Sequence, residues 1–194
     1  MSKIALTPNA SGSGVFTVAS PNSSTDRTLT LPDETGTVDT LQRAGNVIQV
    51  VNFQTGAVDT GTTIAPWYDD GVPQNTEGTE FMTLAITPTS ATNKLKIEVS
   101  IQVSNSSEEW IFSGLFQDTT AAALAIVIQY QPTLTAITNQ TIIHNMTSGT
   151  TAATTFKLRA GANIAGTTTF NGNNAARRGG GTMISSITIT EYAV

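Results

Sequence analysis

The sequence has no cysteine and a single histidine, and only 12% of its 194 residues are charged. Without cysteine there is no disulfide, no thiolate nucleophile and no cysteine-ligated zinc. The charged share is about half of the roughly 25% usual in globular domains. Nine Lys+Arg against fourteen Asp+Glu leave a net charge of −5. No basic surface is then available to neutralise a row of phosphates, so nucleic acid is not an expected partner. Long apolar runs are missing too. The longest, Ala121 to Ile128, has eight residues, where a membrane span needs about 20, so membrane insertion is not expected. Met1-Ser2-Lys3-Ile4 leads into polar sequence and not into an apolar stretch. The expectation is therefore a soluble product made in the cytosol, with no secretory signal.

What the chain does have is threonine, 35 of them, with 16 Gly and many Ser and Asn. Threonine's branched Cβ fits a pleated sheet and resists a helix. The first 45 residues differ from the rest. Two short alternating pieces, Val15 to Ala19 and Arg27 to Leu31, are separated by the turn-forming clusters Pro21-Asn22-Ser23-Ser24 and Pro32-Asp33-Glu34-Thr35-Gly36. They offer only Phe16, Val18, Leu29 and Leu31 for burial, too little to offset backbone ordering at about 1–2 kcal/mol per residue. Residues 1–45 are thus expected to form an arm ordered against sister copies or a larger assembly, and 46–194 the main domain.

From Asn46 onward the pattern is all-β. Lys94 to Val103 alternates strictly, with Leu95, Ile97, Val99, Ile101 and Val103 on one face, which a helix could not bury together. Similar alternation marks Phe81–Thr87, Thr154–Ala160 and Met183–Glu191, the last with Ile187 and Ile189 inward. Further strands are expected at Val47–Phe53, Thr60–Ala65, Trp110–Gln117, Ala122–Tyr130, Thr141–Met146 and Thr167–Asn171. About ten short strands with Gly/Pro/Asn turns predict a sandwich or jelly roll. Two of them are apolar on both faces. In Trp110–Phe116 one face carries Trp110, Phe112 and Phe116 and the other Ile111 and Leu115. In Ala122–Tyr130, Leu124, Ile126, Ile128 and Tyr130 oppose Ala123, Ala125 and Val127. Such strands predict a subunit interface, the alternative being cover by a loop or by the arm. Trp110, Phe112, Phe116, Ile187 and Ile189 are accordingly candidates for the core or for a subunit contact.

Chemistry-bearing residues are sparse. His144 stands alone, without the second histidine or the spaced carboxylates of a metal site and without a Gly-x-Ser-x-Gly elbow; it reads as a strand histidine at the surface or at a subunit contact. The doublets Asp69-Asp70 and Glu108-Glu109 point to opposite sides of an extended chain and do not form a glycosidase pair. Arg177-Arg178-Gly179-Gly180-Gly181 lacks the Lys-Ser/Thr and the following helix of a phosphate loop. Trp67, Tyr68, Asn171, Arg177 and Arg178 are the candidates for exposed-loop ligand contact, with sugars as the ligand class. No catalytic residue, metal or cofactor is expected.

Two stretches carry a resemblance. GSGVFTVASPNSSTDRTLTLPDETGTV resembles a short β module that recurs in tail-fibre and other appendage proteins of bacteriophages, cyanophages included. PQNTEGTEFMTLAITPTSATNKLKIEV, the LFQD of Leu115 to Asp118, HNMTSGTTAATTFKLRAG, TTFNG and GGGTMISSITITEY resemble the C-terminal domain of phage fibre proteins, similar in turn to complement C1q and tumour necrosis factor. The resemblance implies a homotrimeric jelly-roll knob, anchored through residues 1–45 to other virion proteins, displayed outward and adhering to host-surface glycans, with assembly into the virion in the host cytoplasm. A capsid decoration or head-fibre protein that stabilises the shell is the nearest alternative. A glycan-cleaving tip is a more distant one.

Overall fold

The computed structural model describes residues 11–15, 17, 22–26, 28 and 44–194. The chain divides into two units, Met1–Val38 and Asp39–Val194. In the first, the Thr25 amide donates to Ser23 Oγ at 3.1 Å in a local turn. The apolar residues of its two expected strands, Phe16, Val18, Leu29 and Leu31, lie outside the described residues.

The second unit is all-β. Its strands are β1 (Val47–Thr55), β2 (Asp59–Gly61), β3 (Thr79–Ile86), β4 (Lys94–Asn105), β5 (Trp110–Gln117), β6 (Ala125–Tyr130), β7 (Thr138–Thr147), β8 (Thr154–Ala162), β9 (Thr168–Phe170), β10 (Gly172–Asn173), β11 (Ala176–Arg177) and β12 (Ser185–Tyr192). One sheet runs β1-β12-β4-β7, and β9 with β2 continues it beyond β12 along the same edge of β4. The other runs β3-β8-β5-β6, and all ladders are antiparallel. Apart from the β5-β6 hairpin, the chain crosses between sheets at each step from β3 to β8, and again before β12. That is a jelly roll.

Alternation sets which face is inside. Leu95, Ile97, Val99, Ile101 and Val103 of β4 share the inner face with Ile187 of β12 and Ile142 of β7, both in register with Val99, and with Ile189 of β12, in register with Ile97. All pack against Met82, Ile86, Ile111, Leu115, Phe156 and Leu158 from the other layer, and Phe170 of β9 joins the same core from their own sheet. At about 1.5–3 kcal/mol for each buried large apolar side chain, this layer is the main favourable term of the fold. Ile187 and Ile189 therefore belong to the core of a single copy, both fully buried.

β5 is buried on both faces, and the reason corrects the interface expectation for it. Residues 62–78 form a strap across its outer side. The Ala65 amide donates to the Ala162 carbonyl at 2.9 Å, and further along Asn75 donates to Ala121 O and Ala123 to Pro73 O. Two glycines make room. A Cβ on Gly161 would stand 2.8 Å from the Thr63 carbonyl oxygen, and one on Gly114 would stand 2.9 Å from the Trp67 ring. Phe112 and Phe116 are thus covered by Ala65 and Trp67 of the same chain. The strap also explains two strand boundaries. The expected strand Thr60–Ala65 stops at Gly61 because the chain leaves its own sheet there and crosses the outer side of the other. Ala122 and Ala123, at the start of the expected strand Ala122–Tyr130, lie outside β6 because they pair with strap residues Gln74 and Pro73, whereas the Leu124 amide already donates to Leu115 O of β5.

The two ends of the sandwich differ. The chain enters β1 beside the end of β12, where the Gly45 amide donates to Ala193 O and the Ala193 amide to Asn46 O, both at 2.9 Å. Glu191, fully buried, ties this entry end together. It accepts from Gln49 Nε2 at 2.5 Å, Asn93 Nδ2 at 2.6 Å, Thr89 Oγ1 at 2.8 Å and the Thr89 amide at 2.9 Å. The far end carries loops 106–109, 131–137 and 163–167 and the hairpin β10-β11. That hairpin turns through Asn174 and Ala175, both at positive φ (50° and 57°), as a two-residue I′ turn requires.

Candidate functional site

Trp110 opens β5 and Tyr130 closes β6, and the antiparallel register sets them opposite each other at the far end. The strap brings Tyr68 onto the same surface. Tyr68 stacks on Trp110 with centroids 5.3 Å apart and planes 29° apart, and Trp110 meets Tyr130 at 5.2 Å and 56°. Their neighbour Trp67 turns the other way, because side chains alternate along extended chain. Its indole packs on Phe112 at 6.1 Å and on Phe116 at 6.0 Å, and its Nε1 donates to Glu77 Oε2 at 2.7 Å. The buried Trp67 thus anchors the strap while Tyr68, 60% exposed, faces water beside it. Tyr130 is 47% exposed and Trp110 half-buried, so the three rings form a ladder whose two outer members are open to water. Ile128 and Ile126 extend it along β6, both partly exposed.

The surroundings are acidic. Asp69 Oδ1 accepts the Gly71 amide at 2.9 Å, and Glu109 Oε1 accepts the Trp110 amide at 2.8 Å. These local bonds leave Asp70 and Glu108 exposed at the rim. The strap's return is held by Arg159, whose Nε donates to Glu77 O at 2.9 Å and Nη2 to Gly78 O at 2.7 Å.

The other sequence candidates are dispersed. Trp67 is buried and is not an exposed contact, for the alternation reason above. Asn171 is also buried. Its Nδ2 donates to Thr55 O at 2.9 Å and Ala57 O at 3.1 Å, and its Oδ1 accepts from Ser185 Oγ at 2.7 Å. It is a loop clasp, at φ 53°. Arg177 and Arg178 are exposed on the β10-β11 hairpin and its exit, with Arg178 bonded to the Asn173 side chain. Of the five core-or-contact candidates, Phe112, Phe116, Ile187 and Ile189 are core, and Trp110 joins the ladder. His144 faces inward from β7 opposite Ile97, half-buried, and burial lowers its pKa from the ordinary histidine value. Trp110, assigned to the core or a subunit contact, and Tyr130, assigned to neither group, are the ladder members that sequence reasoning did not place at ligand contact. The available signal was an aromatic at the start of one strand and at the end of the next. Among the described residues no three His, Cys, Asp or Glu side chains are grouped to hold a metal ion, and no helix is long and apolar enough to cross a membrane.

No protein-family model and no curated protein matches the chain. Among solved structures it is similar to the VP2 subviral particle of infectious bursal disease virus, at 8% identity and a TM-score of 0.34. That match covers 77% of this chain and 39% of that one. The structure of the Gt strain of the same virus is similar at 9% identity and a TM-score of 0.31, with 84% and 41% covered. The chain thus matches about two-fifths of the length of those proteins.

Proposed function

We propose that the chain is a structural component of a phage virion: a homotrimeric fibre or knob, held by residues 1–45 and displayed outward to adhere to glycans on the host surface. The observation that carries the reading is the polarity of the jelly roll. The chain enters at one end, beside Ala193, and the exposed aromatic ladder sits at the opposite end. A domain tethered at its entry end presents that ladder away from the tether. The sequence resemblance to phage appendage modules supports the same arrangement, and the role is one of binding without a catalytic step.

Three copies are proposed to join through the outer face of β1-β12-β4-β7. Ile143 and Val50 stand more than half exposed there among hydroxyl and amide side chains. The face's cations are already partnered, Lys96 with Glu98 at 2.8 Å and Lys94 with Thr147 Oγ1 at 2.7 Å. Lys96 and Glu98 thus offset each other's charge, Lys94 keeps its own at the entry edge of the face, and the exposed aliphatic groups gain by leaving water. Light scattering should give three times the 20.3 kDa chain mass. Ile143→Glu should give single copies with an unchanged circular dichroism spectrum. A monodisperse 20.3 kDa species over a wide concentration range refutes the trimer. Deleting residues 1–40 should leave a soluble trimer that no longer enters particles, and normal incorporation of that truncation refutes the anchoring role. Particles stripped of the protein should lose adsorption to cells. Loss of heat stability with adsorption intact identifies a shell-stabilising protein instead.

A further inference from the structure

We infer that the ladder Tyr68–Trp110–Tyr130 is a stacking surface for neutral pyranose sugars and discriminates against glycans bearing carboxylates. The inference rests on the adhesive reading above and names the ligand class of that surface. One face of a hexopyranose presents several C–H bonds with partial positive charge, and an aromatic ring presents a negative face. Successive sugar rings need successive platforms. Tyr68 and Trp110 turn facing sides to each other, stacked at 5.3 Å with planes 29° apart, so the free platforms are the exposed sides of Tyr68 and Tyr130, which flank Trp110 and stand 60% and 47% open to water.

Hydrogen-bonding capacity at the rim is that of an acceptor. Asp70 and Glu108 are exposed beside the rings, and Asp69 and Glu109 add two more carboxylates. Sugar hydroxyls donate to such groups, whereas a sialic or uronic carboxylate would meet like charge. The basic residues of the far-end loops, Arg177 and Arg178, are on a separate hairpin, where Arg178 is engaged by Asn173. The chain's net charge of −5 acts in the same direction.

The chain has two tryptophans, and this makes the test direct: Trp67 is buried, so a ligand-induced change in emission reports on half-buried Trp110. The intact protein is titrated with lactose, cellotetraose and chitotriose, and with 3′-sialyllactose as the charged counterpart of lactose. The expected result is millimolar binding of at least one neutral probe with a blue shift. Tyr68→Ala and Tyr130→Ala, both at exposed positions, should each weaken it by about fivefold. Sialyllactose should bind more weakly than lactose. No emission change with any neutral probe up to about 50 mM, affinity unchanged in both tyrosine variants, or tighter binding of sialyllactose overturns the inference. Labelled protein on host cells separates this from the broader reading. Wild-type adhesion that both variants retain rejects the site and leaves adhesion standing. Wild-type protein that does not adhere rejects adhesion itself.

Discussion

Gly114 is the position at which the strap can be tested. A Cβ there would lie 2.9 Å from Trp67 Cη2 and Cζ3 and 3.1 Å from Phe116 Cε2. Neither ring can retreat freely, because Trp67 is held by Glu77 at 2.7 Å and both rings are fully enclosed. Gly114→Ala must therefore lift the strap or tilt β5. Overpacking of this kind costs about 1–3 kcal/mol. At about 2–4 °C per kcal/mol for a domain of this size, Tm should fall by roughly 2–12 °C. Lifting the strap also wets Trp67, so the emission maximum should move to longer wavelength. Trp67→Phe removes the two ring carbons that clash, at the cost of the hydrogen bond to Glu77. The double variant should then lose less stability than the two single losses added together, with a coupling of about 0.5–3 kcal/mol. Additive losses, or an alanine variant as stable as the parent with unshifted emission, would refute the packing described for β5.

Ile189→Ala should cost about 2–5 kcal/mol and Phe112→Ala about 3–5 kcal/mol, with the Tm loss independent of protein concentration because both sites are inside one copy; a concentration-dependent loss would return them to an interface. At Glu191 burial raises the carboxyl pKa, and the hydrogen bonds from Gln49, Asn93 and Thr89 outweigh it, leaving the folded value below the ordinary one. A depressed folded pKa contributes stability that is present above the ordinary glutamate range and lost as pH falls through the folded value. Tm between pH 7 and pH 3 should accordingly fall more in the parent than in Glu191→Gln, and parallel curves would refute it. Ala175→Gly relieves an alanine held at φ 57° and should raise stability by about 1 kcal/mol in thermal or urea melts.

Strand existence was legible because alternation is a local signal: β4 and β5 lie where their side-chain patterns place them, and the all-β class follows. The cover over β5 was not legible. That the second face of Phe112 and Phe116 is closed by Trp67 depends on Gly114 and Gly161 meeting residues some 50 and 100 positions away, and no local pattern encodes that meeting. The same gap explains the site. Tyr68 and its neighbour Trp67 look alike in sequence, yet one faces water and the other packs inward. Which is which depends on how the strap lands. Trp110 and Tyr130 come together through a register that the intervening loop length alone does not set. Asn171 resembled a sugar-binding amide, but three bonds to the entry of β2 and to β12 use up its polar atoms.

The ladder between β1 and β12 has a mechanical consequence. A pull reaching the domain through residue 44 acts nearly along β1, whose partners run from Tyr192 back to Ser185. The rungs are then loaded side by side in shear, and none is peeled singly before the rest. The Gly45–Ala193 bond and the grip of Glu191 on Gln49 sit where that load enters. Tension on a tethered copy would therefore meet the stiffest direction of the sheet first.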